Sequence, residues 1–301
     1  MNATMVNSLT AMTNEELLRN VPAIGAEAPA GRVSGIYKQV RTLDVADILR
    51  SQGWMPVKAR SLRVRSADRQ MTRKHEIRFS RIGDKMMEVG DSLVQLVLTN
   101  SHDASSAYKV MLGIFRLACS NGMVVSTGTF SSISIRHVGF DPQEVVDASA
   151  RVGEGGMNVM NHIGAMEAMR LDHHEQVALG KAAINLLFSP EEVSDASVVM
   201  PPERLLQTRR SSDNGDSLWK TFNRIQENVT KGGIRYHRRD NENGMYSMAH
   251  GDDRYRRASI RPIKSIDKDI KLNQSLWALA EEMLSLKQGN APSVTSNPMK
   301  V

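Results

Sequence analysis

The sequence predicts an α+β protein in which an N-terminal antiparallel sheet with packed helices precedes a mainly helical C-terminal part. Between residues 55 and 138, short runs alternate apolar and charged residues, which is typical of half-buried strands. From residue 141 onward, capping signals followed by apolar residues at helical spacing dominate instead. The change of period from two to about 3.6 residues is what separates the two parts.

The first 29 residues are predicted to form one helix and an irregular arm. Thr13-Asn14-Glu15-Glu16 is a capping box, and Pro22 ends the helix that it starts. A second helix is expected over residues 45–51, capped by Thr42 or Asp44 and stopped by a glycine.

Residues 30–140 are predicted to be the α+β core domain. Alternating residues indicate strands at 62–65 and 75–79, joined as a hairpin by the basic tip 66–74. The continuous apolar run 93–99 indicates a central strand.

Apolar residues recur at helical spacing after this central strand. They predict a helix over about 104–119, capped by Asp103 or Ser105 and ended by the turn at 120–122. Two further strands are expected, at 123–126 and 129–138.

Residues 141–288 are predicted to be mainly helical with one basic loop, and residues 289–301 to be a disordered tail. Gly153, Gly155 and Gly156 are expected to break the first helix, and 189–202 to be a linker. The basic segment 235–261 shows little periodicity and is expected to lack regular structure. The predicted helices are 141–170 with its break, 172–188, 218–229 and 272–286.

Composition restricts the class of protein. The 301 residues carry 39 Lys+Arg against 33 Asp+Glu, a formal charge of +6, which mildly favours polyanionic partners. Cys119 is the only cysteine, which excludes an internal disulfide and a cysteine-based zinc site. No apolar run reaches the roughly 20 residues of a membrane span, and no signal peptide is evident. We therefore expect a cytoplasmic protein with no membrane contact and no cofactor.

Two basic segments are the strongest candidates for a binding site. In the first, alternate cations of a hairpin would line one face and follow a sugar-phosphate backbone. Its candidate residues are Arg60, Arg63, Arg65, Arg73, Lys74, His75 and Arg78. The second combines arginine with tyrosine, a pairing suited to single strands. Its candidate residues are Arg235, Arg238, Arg239, Arg256 and Arg257. The alternative for the first segment is a solvated sheet face or a mobile tip, and the alternative for the second is a disordered acidic-basic loop.

Other motifs favour structural roles. Ser101-His102-Asp103 has the residue types of a catalytic triad, but three consecutive side chains cannot form that relay, and Asp103 more simply caps a helix. The histidines His162, His173 and His174 lack the spacing of a metal site, and we expect no metal. The aromatic residues of the C-terminal helices are expected in the core: Trp219, Phe222 and Trp277.

Residues 100–125, NSHDASSAYKVMLGIFRLACSNGMVV, resemble the signature of a phage- and plasmid-like family with a domain of unknown function. Blocks 218–233 and 266–283 and the basic strand 74–79 are similar to the same family. Ala104 departs from the glycine usual there. The signature residues are Asn100, Ser101, His102, Asp103, Ser106, Arg116, Cys119, Asn121 and Gly122.

The family name implies no activity. Its members occur on mobile elements near replication and recombination genes, and some resemble distant relatives of Erf- and RecT-type single-strand annealing proteins. The resemblance implies a homo-oligomeric, non-enzymatic protein that binds single-stranded DNA during phage or plasmid replication or recombination. A host-defence inhibitor that binds a protein partner is one alternative. A nucleic-acid hydrolase that uses His75, His102 and Asp103 is the other.

Overall fold

The structure is a computed structural model, and it describes residues 10–27, 40–62, 69–84, 88–89, 92–103, 106, 108–116, 122–124, 133–135, 140–239 and 255–289. The chain divides into two compact units, Met1–Asn161 and His162–Val301. Within the described ranges, no helix is long and apolar enough to cross a membrane. Residues 290–301 of the predicted tail and Cys119 lie outside the described residues.

The first unit is built on an antiparallel sheet, so the predicted N-terminal architecture is confirmed. The order is β1-β2-β4-β5-β6, and β3 and β7 pair with β4 and β5 respectively. The strands are β1 (Met55–Ser61), β2 (His75–Ser80), β3 (Glu88–Val89), β4 (Ser92–Asn100), β5 (Tyr108–Arg116), β6 (Gly122–Val124) and β7 (Ile133–Ile135).

Helices accompany this sheet. The capping box of Thr13 and Glu16 starts α1 (Asn14–Asn20), as predicted. Helix α2 (Thr42–Ser51) begins three residues before its expected start, and Thr42 is its first residue rather than its cap. Alternate side chains of β2, β4 and β5 point to the same face of the sheet, are fully buried and form its core: Ile77, Phe79, Leu96, Leu98, Val110 and Leu112.

The helix predicted over 104–119 is wrong, because residues 108–116 form strand β5. Val110 to Phe115 is an uninterrupted apolar run, which satisfies helical spacing and a doubly buried strand equally well. Pairing decides between them: β5 pairs with β4 from Lys109 to Arg116 and with β6 and β7 on its other side. Of the described residues after Asp103, Ser106 is not helical and 108–116 are strand, so the expected role of Asp103 as the cap of a helix over 104–119 is also wrong.

Two other boundaries differ from the prediction. The first hairpin strand is β1 at 55–61 rather than 62–65, and residues 63–65 lie outside the described ranges. The expected glycine break is absent, since α3 (Pro142–Ala168) is continuous. Gly155 and Gly156 lie on its buried side beside Val152 and Val159, so burial of that side outweighs the helix cost of about 1 kcal/mol per glycine.

The second unit is mainly helical, as predicted, but also contains a small antiparallel sheet of order β10-β9-β8. The expected linker 189–202 contains a short helix and a short strand. Segment 235–261 contains two strands, so the expectation that it lacks regular structure was wrong. The elements are α4 (His173–Leu187), α5 (Pro190–Ser194), β8 (Val198–Val199), α6 (Leu218–Lys231), β9 (Arg235–Arg239), β10 (Tyr255–Ser259) and α7 (Ile266–Lys287).

Helix α6 is the centre of this unit, since eleven of the twelve positions from Leu218 to Val229 are buried. The rings of Trp219 and Phe222 stack at 5.5 Å, and both contact Trp277 edge-on, which confirms their expected place in the core. Buried polar side chains join the helix to its surroundings; Gln226 Nε2, for example, donates to Asn273 Oδ1 in α7 at 2.9 Å.

Gly232, which ends α6, is the position where a side chain should do most damage. Its φ is +66°, and a Cβ there would lie 2.5 Å from the Ile260 oxygen and 2.7 Å from the Pro262 nitrogen. We expect Gly232→Ala to lower the free energy of unfolding by about 2–4 kcal/mol in urea titrations, from backbone strain plus overpacking. The control Gly53→Ala has a φ of +81° but open space, and should cost only about 1 kcal/mol. Equal losses in the two variants would contradict the role of the close backbone contact.

Candidate nucleic-acid interface

The first basic segment forms a buried ion cluster on the β1–β2 pair. The register places Arg60 opposite Glu76 and Lys58 opposite Arg78. Arg60 donates to both carboxylate oxygens of Glu76, at 2.9 and 2.7 Å, and Arg78 Nε donates to Oε1 at 3.0 Å. Burial alone would raise the pKa of the Glu76 carboxyl, but the two guanidinium groups outweigh it and hold that pKa below its ordinary value.

This arrangement limits what the first segment presents to a ligand. Lys74, His75 and Arg78 are buried, whereas Arg60 and Arg73 are half-buried. Arg63 and Arg65 lie outside the described residues. The predicted phosphate contacts of this segment stay predictions, and the charges of Arg60 and Arg78 are directed at a carboxylate inside the fold.

Three residues of the family signature lie in a buried polar network. Asn100, Ser101 and His102 have no exposed surface. Thr42 Oγ1 accepts a hydrogen bond from Asn100 Nδ2 at 3.2 Å and lies 3.0 Å from His75 Nε2. The rings of His75 and His102 are 5.3 Å apart between centroids. The network therefore ties α2 to the adjoining ends of β2 and β4.

The hydrogen bonds of His75 define its tautomer. Its Nδ1 lies 3.1 Å from the Arg73 carbonyl oxygen, so Nδ1 donates and Nε2 accepts from the Thr42 hydroxyl. Burial lowers the pKa of His75 to about 3, helped by the nearby charge of Arg73 and opposed by the Arg73 carbonyl. The imidazole is accordingly neutral in the folded protein at neutral pH.

The remaining signature residues are placed around the β4–β5 connection and along β5. The Ser106 amide and hydroxyl both donate to Ser101 Oγ at 3.1 Å, and Asp103 is exposed. Arg116 ends β5, where it pairs with Ser92 of β4, and Gly122 begins β6, where it pairs with Phe115. Cys119 and Asn121 lie outside the described residues. The structure thus brings His75 and His102 together but buries both, while Asp103 is at the surface.

The second basic segment forms a sheet with two different faces. Antiparallel pairing sets Arg257 opposite His237, Ser259 opposite Arg235 and Tyr255 opposite Arg239. Because side chains alternate along a strand and paired residues share a side, six residues lie on one face. We call it the basic face: Arg235, His237, Arg239, Tyr255, Arg257 and Ser259.

The opposite face of this sheet is directed toward the interior of the unit. Tyr236 is buried with its ring 5.0 Å from that of Phe188, so it is not available for base stacking. Arg238 forms an ion pair with Glu192. Arg256, next to Arg257 in the sequence, also belongs to this side of the sheet but is exposed. Because side chains alternate along a strand, Arg256 and Arg257 lie on opposite faces of the sheet although they are adjacent in the sequence.

The basic face is open and carries no acidic residue in the described strands. Arg235, His237 and Arg257 are exposed, and neither arginine forms an ion pair with any described residue. Val199 of β8, 40% exposed, pairs with His237 and adds an apolar surface to the same row. Residues 240–254, which connect β9 to β10 in the sequence and include acidic residues, lie outside the described ranges.

The end of the basic face at Arg239 and Tyr255 is held by the turn at Asp195 and Ala196. The guanidinium of Arg239 lies 5.9 Å from the centre of the Tyr255 ring, and its Nη2 donates to the Asp195 carbonyl at 2.8 Å. The Tyr255 hydroxyl donates to the carbonyl of Ala196, which has a φ of +57°. These contacts fix one ring and one cation in position.

The sequence analysis identified the arginines of this surface but did not predict which residues share one face of the sheet. His237 and Val199 complete the row, and the only sequence signal was the alternation in Arg235-Tyr236-His237, where the tyrosine points inward. No group of three or more potential metal-ligating residues occurs within the part of the chain that the structure describes.

Comparison with known proteins gives a family but no activity. Residues 29–277 match a domain of unknown function, DUF932. Two Escherichia coli K12 proteins, UPF0380 protein YafZ and UPF0380 protein YfjQ, are each 31% identical over 279 residues, covering 92% of this chain and 93% of theirs. No solved structure matches. The signature and the comparisons agree, and the chain belongs to the phage- and plasmid-like DUF932 family.

Proposed function

We propose that this protein binds single-stranded nucleic acid, DNA in the first place, through the basic face of its C-terminal unit. The observation that supports the proposal is the exposed row Arg235, His237 and Arg257 on a sheet face without acidic residues in its described strands. Guanidinium groups neutralise phosphates and release counterions, which is the main source of sequence-tolerant affinity.

The composition of the face favours a single strand over a duplex. His237 and Tyr255 offer rings, and Val199 an apolar contact, between the cations. Unpaired bases stack on such groups, whereas the bases of a duplex are shielded from a flat sheet. The face is about 14 Å long, from the four steps of about 3.4 Å between the first and the fifth residue of β9. Several copies along one strand are therefore part of the proposal, in keeping with a role in phage or plasmid replication or recombination.

The two neighbouring arginines of β10 provide a matched test. Arg257→Ala and Arg256→Ala remove the same charge from adjacent positions, but only Arg257 lies on the basic face. With about three phosphate contacts, the logarithm of affinity should fall with the logarithm of salt with a slope near −2. Arg257→Ala or Arg235→Ala should reduce that slope by about 0.7 and weaken binding about fivefold at about 0.1 M salt. Arg256→Ala should do clearly less.

The measurement is fluorescence anisotropy of labelled oligonucleotides of about 20 residues, as single-stranded DNA, single-stranded RNA and duplex DNA, across a salt series. The stoichiometry on longer strands reports how many copies assemble. Absence of binding at about 50 mM salt would overturn the proposal. So would equal losses in the Arg256 and Arg257 variants, since these would indicate diffuse charge rather than a defined face.

A further inference from the structure

Arg209 lies outside the basic segments of the sequence, yet the fold fixes its side chain beside the β9–β10 hairpin. Asn228 in α6 is fully buried, and its Nδ2 donates to the carbonyls of Leu205 and Gln207 at 2.8 Å each. The Oδ1 of the same amide accepts from Arg209 Nε at 2.5 Å. A single buried side chain thus holds both the backbone that leads to Arg209 and its guanidinium.

The other contact of this guanidinium is with the base of the hairpin. Arg209 Nη2 donates to the Gly232 carbonyl and lies 3.9 Å from where a Cβ of Gly233 would be. The Gly233 amide donates to the Ile260 carbonyl at 2.8 Å, which joins the two hairpin strands at this end. Arg235, the first residue of the basic face, follows two positions later.

We infer that Arg209 is a phosphate-binding residue that extends the basic face, so that the ligand is an extended single strand running along β9. The inference rests on the proposed function. From Gly233 to Arg239 the path measures about 20 Å, at about 3.4 Å per residue. A strand with stacked bases would place about six nucleotides on it.

Arg209 is suited to binding a phosphate because its side chain is exposed and is already held in one conformation by two hydrogen bonds. Two of its three guanidinium nitrogens are bonded to Asn228 and Gly232, while no described residue is a partner of Nη1. A planar guanidinium held in this way loses little conformational freedom when a phosphate binds. Its nearest cationic neighbour along the chain on the basic face, Arg235, would take an adjoining phosphate.

Three variants separate a binding role from a structural one. Arg209→Ala removes the charge and both hydrogen bonds, whereas Arg209→Lys retains the charge but cannot bond to Asn228 and Gly232 together. Arg204→Ala removes the same charge from the exposed surface of the preceding 3-10 helix. Each is titrated with single-stranded oligothymidylate of about 20 nucleotides across the salt series, and thermal unfolding is recorded in parallel.

Arg209→Ala should reduce the salt slope by about 0.7 and weaken binding about fivefold at about 0.1 M salt. Arg209→Lys should retain the wild-type slope, and Arg204→Ala should bind within about twofold of wild type. If Arg209→Ala lowers thermal stability but leaves the salt slope unchanged while Arg257→Ala alters it, this inference fails and the proposed function stands. If wild type and all variants fail to bind, the proposed function itself fails.

Discussion

Replacing Glu76 by glutamine is expected to lower the free energy of unfolding of the N-terminal unit by about 3–5 kcal/mol. Glu76 is 1% exposed and receives hydrogen bonds from both Arg60 and Arg78. The amide keeps the shape but removes the negative charge, so the buried guanidinium of Arg78 loses its ion pair with this carboxylate. Arg60 is half-exposed, and water screens its share of the loss.

A surface ion pair supplies the control for this experiment. Asp47 pairs with Arg50 on α2 at 2.5 Å, but its side chain is 58% exposed. Asp47→Asn makes the same chemical change and should cost less than about 1 kcal/mol in the same urea titrations. The double variant Glu76→Gln/Arg78→Met should recover part of the stability, because it removes the buried cation as well. Similar losses for Glu76→Gln and Asp47→Asn would show that the cluster is not a buried ion network.

Acid is expected to destabilise the N-terminal unit well above the pH at which carboxylates titrate. His75 has a folded-state pKa of about 3 because it is buried, against about 6.5 in an unfolded chain. Below pH 6.5 the unfolded state therefore binds a proton that the folded state does not, and stability falls as pH falls. The loss should be on the order of 2 kcal/mol at pH 5 and should continue toward pH 3.

Urea titrations between pH 7 and pH 5 measure this effect, with His75→Gln as the comparison. The glutamine variant will be less stable at neutral pH, because it disturbs the contacts with Thr42 and the Arg73 carbonyl. Its stability should nevertheless depend less on pH in this window, since the titrating group is gone. A slope as steep as that of wild type would show that His75 is not the source of the acid sensitivity.

The exposed pair His162–Glu281 has the opposite effect on the pH dependence of stability. The carboxylate of Glu281 raises the pKa of His162, so the stabilisation from this pair is lost as pH rises.

Three blocks of the sequence resemble the family, residues 100–125, 218–233 and 266–283, and the buried polar networks explain their structural role within each unit. The first block contributes Asn100, Ser101 and His102 to the closed polar network at the end of β2 and β4. The second and third blocks are α6 and most of α7, which the bond between Gln226 and Asn273 joins. The proposed binding surface lies mostly between the latter two blocks, on β9 and β10. The most recognisable residues of the sequence are thus largely interior.

The sequence by itself determined the elements whose signals are local. The capping box at Thr13 was predicted where the structure has it, and helices α4 and α6, capped by Asp172 and Ser217, begin within one residue of the predicted starts at 172 and 218. These features depend on hydrogen bonds between residues a few positions apart, so neighbouring residues are sufficient to specify them. The central strand β4 was predictable for a similar reason, because its apolar run is too short for an ordinary helix.

Only the tertiary structure decided the features that depend on partners distant in the sequence. Strand β5 is a strand because β4, β6 and β7 supply its hydrogen bonds, although its own apolar spacing also fits a helix. The pairing of β9 with β10 places Arg256 and Arg257 on opposite faces of the sheet. In the first unit, Arg60 and Arg78 both donate hydrogen bonds to the carboxylate of Glu76. Charge is a property of the sequence, but whether a cation faces solvent or a buried carboxylate depends on strand register, which long-range pairing and burial set.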